Sequence, residues 1–346
     1  ACYQVIPLTA PAGGYNRSCL ALDNGFTAAG QVMAASNQDA VYGLFGKVDA
    51  NGRLDSIWYR ELTDPGNLGK IFDFALNSQS ALVHSWDAGV DLDGYLHVAF
   101  LYNDGHGPAP YTDHLRYTSN RSVSLSTMAQ IWHLGATNDW QQGTAVKLAF
   151  SEPIGGETVN FVAVMDTGGT DEMILASCLT NGCGSQATNS VPLPASWSAV
   201  SDIREVGLHE NDDKVVLGFI GKDGTTANDQ VYILGNPLSG YPPSMLSDDR
   251  PTHKRSIDID RAISVPGSFL IETIVVSWGE TNLVTMQYYT HDTHTLVKVY
   301  DAPCNVWLQG GEAVANGVHF AGVWEACNET WFAALANLIQ LPIVTK

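Results

Sequence analysis

Basic residues are scarce in this chain. There are 17 Lys+Arg against 36 Asp+Glu, a formal net charge of −19 over 346 residues. No basic patch is available to neutralise phosphates, which excludes a nucleic-acid partner. Charge of either sign is sparse, at 15% of residues, while 9 Trp, 13 Tyr and 11 Phe contribute to a 45% hydrophobic composition. Disordered chains are the reverse, charge-rich and aromatic-poor, so a packed core is expected. No run of about 18 apolar residues occurs, which excludes a transmembrane helix, and no membrane partner is expected. The acidity points to a soluble protein that resists nonspecific association, and a monomer is expected. A Gly-x-Ser-x-Gly elbow, a P-loop and a His-Glu-x-x-His helix are all missing. The 36 acids offer many carboxylate pairs, so glycoside hydrolysis stays open.

Six cysteines are present, an even number. They fall in close pairs, Cys2 with Cys19, Cys178 with Cys183 and Cys304 with Cys327, without the paired CxxC spacing of a zinc site. Three local disulfides are expected, and these require an oxidising compartment. Sequons at Asn16, Asn120 and Asn328 agree with that. The chain begins Ala-Cys-Tyr without an initiator Met, as a mature secreted protein would. Secretion to the extracellular space is the expected localisation.

Helical periodicity is scarce. Runs of five to eight apolar, β-branched and aromatic residues alternate with Gly, Asn, Asp and Pro turns, the mark of an all-β chain. A pair of strands recurs: 40–46 with 54–61, 95–102 with 114–119, 158–165 with 172–178, 214–221 with 230–234, 269–278 with 283–290, and 318–324 with 331–337. The repeat length, about 50 to 65 residues, is that of propeller blades with four strands each. Residues 82–90 and 255–263 read as inner strands, and 129–134 and 295–300 as outer ones. The expected fold is therefore an all-β, single-domain β-propeller spanning 1–346. Six blades are counted. Residues 1–35 either close the ring or contribute to a seventh blade. A pair of β-sandwiches is the rival, and it need not repeat at a fixed period.

The most specific stretch is Val90-Asp91-Leu92-Asp93-Gly94-Tyr95-Leu96-His97-Val98-Ala99-Phe100, followed by Leu115-Arg116-Tyr117-Thr118-Ser119. Asp-x-Asp-Gly makes a tight turn, because Gly accepts positive φ and Asp side chains bond turn amides. The stretch resembles the bacterial-neuraminidase-repeat type of β-propeller. Within it, the similarity is closest to propeller polysaccharide lyases such as ulvan and rhamnosyl-glucuronate lyases. The resemblance runs from Val83 to Ser122. It implies a propeller fold and β-elimination on a uronate-containing, rhamnose–glucuronate type of glycan. The family's first histidine falls near His84, with one residue gapped. Its second falls at Asn103, with His106 three residues on. His97 matches a strand histidine, and Thr118-Ser119 stands where the family has Arg-Ser. The Ser-x-Asp-x-Gly-x-Thr-Trp box of sialidases is absent.

Propeller topology places the start of an inner strand and the end of the next strand at one channel mouth, where many loops meet and ligands bind. His84, Tyr102, Asn103 and His106 should therefore share that mouth. The same rule nominates Trp140, Gln141, Arg204, Lys254, Arg255 and Gln309 for substrate binding. His84, with His106 or Tyr102 as partner, is the candidate for acid–base work. Arg204 and Arg255 are candidate clamps for a carboxylate. His97 reads as structural, and Asp91 and Asp93 as turn formers. No catalytic metal or cofactor is expected, although the two aspartates leave room for a structural calcium ion. The partner is then an acidic oligo- or polysaccharide. A non-catalytic carbohydrate-binding or structural extracellular propeller is the alternative.

Overall fold

The computed structural model describes 26 strands between Cys2 and Ile343. It also describes the turn residues 40, 62, 91–95, 120–121, 157, 180, 191–192, 226–229, 235, 237, 243, 246–247, 251–252, 254 and 327. Cys2–Tyr3 (β1) pairs with Ser18–Cys19 (β2), which sets Cys2 opposite Cys19. The other strands form six four-stranded antiparallel sheets, each laid out in chain order.

The first sheet contains β3 (Ala29–Ser36), β4 (Val41–Val48), β5 (Leu54–Glu61) and β6 (Gly69–Asp73). The second contains β7 (Leu82–Val90), β8 (Leu96–Asn103), β9 (His114–Ser119) and β10 (Gln130–Trp132). The third contains β11 (Gln142–Ser151), β12 (Thr158–Asp166), β13 (Asp171–Leu179) and β14 (Gly182–Ser190). The fourth contains β15 (Asp202–Asn211), β16 (Lys214–Lys222), β17 (Gln230–Leu234) and β18 (Ser244–Met245). The fifth contains β19 (Arg255–Ala262), β20 (Thr273–Glu280), β21 (Leu283–Thr290) and β22 (Thr293–Asp301). The sixth contains β23 (Val306–Val314), β24 (His319–Ala326), β25 (Glu329–Ala334) and β26 (Ile339–Ile343).

The six strand pairs read from the sequence are the middle pairs of these sheets. The fifth pair runs further than expected, because Glu280 still pairs with Leu283 across the turn. Residues 29–36 supply the first strand of the first sheet, and no seventh four-stranded sheet occurs among the described residues.

The chain divides into two compact units, Ala1–Tyr3 with Arg17–Val191 and Gln4–Asn16 with Pro192–Lys346. In the first unit β7 packs against β3 and β11. In the second, β19 packs against β15 and β23. First strands therefore lie against first strands, which makes them the inner strands of their sheets.

Burial explains why the strands do not alternate cleanly between polar and apolar residues. Ala99 and Leu101 of β8 face one core, with Val146, Phe161 and Ile174 of the third sheet. Leu96, Val98 and Phe100 face another, with Leu44 and Ile57 of the first sheet. Both faces of β8 are covered, so its sequence reads as a nearly continuous apolar run. In the second unit Trp278 and Ile259 of the fifth sheet pack on Ile220 and Ile233 of the fourth. Each fully buried Phe or Leu contributes about 1.5–3 kcal/mol. Gly89 lets β7 approach β11: a Cβ there would lie 2.6 Å from a Phe150 ring carbon and 2.7 Å from Leu148 Cδ1.

Cys178 and Cys327 are disulfide-bonded, and no free cysteine occurs among the described residues. Leu179 pairs with Gly182, which brings Cys183 back towards Cys178 across the β13–β14 turn. Cys327 adopts a φ of 57° in the turn between β24 and β25. Cys304 lies outside the described residues.

Candidate functional site

Every inner strand carries a β-bulge or register irregularity near its start. In the first unit these fall between Ala29 and Val32, Val83 and Ser85, and Gly143 and Ala145. In the second they fall between Ile203 and Glu205, Arg255 and Asp258, and Leu308 and Gly310. A bulge inserts an unpaired residue, bends the strand and re-aims a side chain, and bulges concentrate beside active sites. His84, Arg204 and Gln309, all nominated from sequence, are the inserted residues of their strands. Arg255 borders the irregularity of its own.

The register also places the partners of His84. Val83 pairs with Tyr102 and Leu82 with Asn103, so His84, Tyr102 and Asn103 share one end of the second sheet. His106, Trp140 and Gln141 lie outside the described residues. In the second unit Lys254 is buried: its ammonium donates to Thr252 Oγ1 at 3.4 Å. The Thr252 hydroxyl donates to Glu280 Oε2 at 3.0 Å, and the Trp278 indole N–H donates to Glu280 Oε1 at 3.0 Å. Lys254 thus belongs to an internal polar network at the start of β19, where Arg255 pairs with Gly279. Glu280 was not singled out from sequence. It joins the network because β20 ends where β19 begins.

A second cluster lies at the other end of β7 and reaches into the third sheet. The Asp91-Leu92-Asp93-Gly94 turn closes through Gly94 N–H to Asp91 O and Asp91 N–H to Tyr95 O, each at 3.0 Å. Gly94 takes a φ of 87°. Asp91 Oδ1 accepts the Tyr95 N–H at 2.8 Å, and its Oδ2 accepts His97 Nε2 at 2.9 Å and Arg121 at 2.7 Å. Arg121 also holds Asp93 at 2.6 Å and Glu157, at the start of β12, at 3.1 Å. Glu157 in turn accepts the Leu92 N–H at 2.8 Å. His97 and Asp91 are fully buried, and His97 Nδ1 accepts from the Tyr117 hydroxyl.

The electrostatics follow from burial and pairing. Desolvation pushes the His97 imidazole below its ordinary value, although Asp91 pulls it up. Desolvation alone would raise Asp91, but hydrogen bonds from His97, Tyr95 N–H and Arg121 outweigh it and hold the carboxyl low. Burial raises the Tyr117 phenol, which stays a donor. His97 is therefore a satisfied core histidine and the aspartates are turn formers, as their sequence context suggests. Arg121 occupies both carboxylates that could serve calcium. Among the described residues no group of three or more His, Cys, Asp or Glu side chains could hold a metal ion.

Sequence reading registers Arg121 only as the middle residue of a sequon. That sequon's asparagine is itself engaged: Asn120 is half-buried, and its Oδ1 accepts the Leu96 N–H at 2.8 Å. Its carboxamide also hydrogen-bonds the Tyr42 phenol. Asn16 and Asn328 lie outside the described residues.

No protein-family model matches the chain, and no curated protein matches it in sequence. Solved structures do match. A protein of unknown function from Dyadobacter fermentans aligns over 86% of this chain and 90% of its own, with TM-score 0.54 and 8% identity. The Trypanosoma rangeli sialidase in complex with the inhibitor DANA aligns over 94% of this chain, with TM-score 0.53 and 9% identity. This chain covers 58% of that sialidase. The polysaccharide lyase Uly1 aligns over 94% of this chain and 82% of its own, with TM-score 0.49 and 9% identity. At such identities the first two likenesses show the fold alone, an all-β propeller.

Proposed function

We propose that the protein is a secreted carbohydrate-active propeller, a polysaccharide lyase that cleaves a uronate-containing glycan of the rhamnose–glucuronate type. One observation carries the reading: the inner-strand bulge inserts His84 at the end of the second sheet where Val83 pairs with Tyr102 and Leu82 with Asn103. The disulfides at Cys178 and Cys327 support an extracytoplasmic setting.

In β-elimination a cation first neutralises the uronate carboxylate and acidifies the C5 proton. A base removes that proton, the C4–O bond breaks as a C4–C5 double bond forms, and an acid protonates the departing sugar oxygen. His84 and Tyr102 are the proposed base and acid. The sequence nominates Arg204 and Arg255 for the carboxylate, and each stands at the irregular start of its own inner strand. No cofactor is needed for this chemistry.

Asn103 favours a second reading. It stands where the lyase pattern has a histidine, and a propeller that only binds saccharides needs no second proton-transfer group. Incubation with a rhamnose–glucuronate polymer separates the two. The lyase releases an unsaturated uronate that absorbs in the ultraviolet. Retention of glycan with no absorbing product from any uronate polymer identifies the binder and overturns the lyase.

A further inference from the structure

We infer that Asn120, although it opens an Asn-x-Ser sequon, is a closed modification site: its carboxamide is a strut between the first two sheets, and the folded protein carries no glycan there. The inference concerns processing of the chain and stands apart from the proposed catalytic activity.

The backbone supplies the first argument. β9 ends at Ser119, which pairs with His97. One residue further on, Asn120 N–H donates to Leu96 O at 3.1 Å. A strand residue in that place would return its own carbonyl to the Leu96 N–H. Here the side chain does so, and Asn120 Oδ1 accepts the Leu96 N–H at 2.8 Å. Leu96 is fully buried at the start of β8, so its amide needs a partner within the protein. The carboxamide oxygen therefore completes the β8–β9 ladder.

The other half of the carboxamide faces the first sheet. Tyr42, a buried residue of β4, donates its single hydroxyl hydrogen to Gly94 O at 3.1 Å. The phenol oxygen is left as an acceptor, so its hydrogen bond with Asn120 is donated by Asn120 Nδ2. That nitrogen is the atom to which an N-linked glycan attaches, and such a glycan is bulky. An amide is planar, so a sugar on Nδ2 enters the plane that already holds the Leu96 amide and the Tyr42 phenol. A pyranose ring there pushes one or the other aside and leaves a buried polar group without its partner.

The next residue is fixed as well. Arg121 N–H donates to Ser119 Oγ at 3.1 Å, and its guanidinium holds Asp91, Asp93 and Glu157. The first two positions of the sequon are thus tied to the first sheet, the second sheet and the start of β12 in the third. Turning Asn120 outward to present Nδ2 to solvent disrupts these contacts together.

The test compares variants secreted from a glycosylating host. The host is one that modifies Met245→Asn, a change that creates Asn-Leu-Ser at an exposed position of β18. Ser122→Ala removes the sequon and keeps Asn120. Asn120→Ala removes the sequon and the strut. Peptide mapping of the folded parent is expected to find Asn120 unmodified. Asn120→Ala is expected to unfold at lower denaturant than Ser122→Ala, its unfolding equilibrium shifted by about tenfold or more. If Asn120→Ala does not fold, Asn120→Asp takes its place. It keeps an acceptor for the Leu96 N–H, loses the donor to Tyr42, and should shift the equilibrium by about threefold or more. A glycan on Asn120 of the folded parent overturns the inference. An Asn120 variant as stable as Ser122→Ala also overturns it, because the carboxamide would then hold nothing together.

Discussion

Asp91→Ala is expected to destabilise the first unit by about 3 kcal/mol, read as a lowered denaturation midpoint at unchanged slope. The carboxylate is fully buried and serves three donors at once, Tyr95 N–H, His97 and Arg121. Its removal opens the turn and leaves the buried His97 Nε2 without its nearest partner. Arg121 keeps Asp93 and Glu157, so the loss is smaller than for an isolated buried charge. Asp91→Asn retains an acceptor for Tyr95 N–H and should cost clearly less. An Asp91→Ala protein as stable as the parent would show that the network carries no net stability.

The same network sets a pH dependence. His97 is held below its ordinary value in the fold, so the unfolded chain takes up the proton first. Its contribution is complete above about pH 6.5 and is lost as pH falls below that towards the depressed folded value. Asp91, also depressed, contributes fully above about pH 3.9 and is lost as pH falls through its folded value. Glu157 and Asp87, raised by burial, act in the opposite sense above the ordinary carboxylate range. His97→Gln removes only the histidine component, so its stability should change less than the parent's between about pH 6.5 and 5.

The turn at Asp91 was legible because it is local: four residues carry the glycine and the side-chain acceptor that the turn needs. The strand pairs were legible for the same reason, as apolar runs bounded by short polar turns. The bulges were not. A bulge is a mismatch of register between strands some 20 residues apart, and Val83-His84-Ser85 looks like any strand segment. His84, Arg204 and Gln309 were nominated because they open inner strands, and the structure adds that each is the inserted residue. The burial of Lys254 was also hidden, because it depends on a network with Thr252 and Glu280 that forms only when β19 and β20 pair. Arg121 escaped notice because its three carboxylate partners come from a turn some 30 residues earlier, Asp91 and Asp93, and from the neighbouring sheet, Glu157.

His84→Ala is expected to lower the rate of uronate elimination by about 10²–10⁴-fold, the usual contribution of a positioned acid or base. Its effect on stability should be small, because residue 84 is omitted from the ladder that holds β7 to β8. Tyr102→Phe keeps the ring and removes the proton, and should lower the rate by about 10²-fold or more. Unchanged rates in both variants would remove this end of the second sheet from the chemistry.

A crystal structure with a rhamnose–glucuronate tetrasaccharide bound shows directly where the saccharide sits. The predicted result is sugar against His84 and Tyr102, at the bulged start of β7. Sugar seated instead on the Asp91–Gly94 turn and Glu157, with the start of β7 bare, would contradict it.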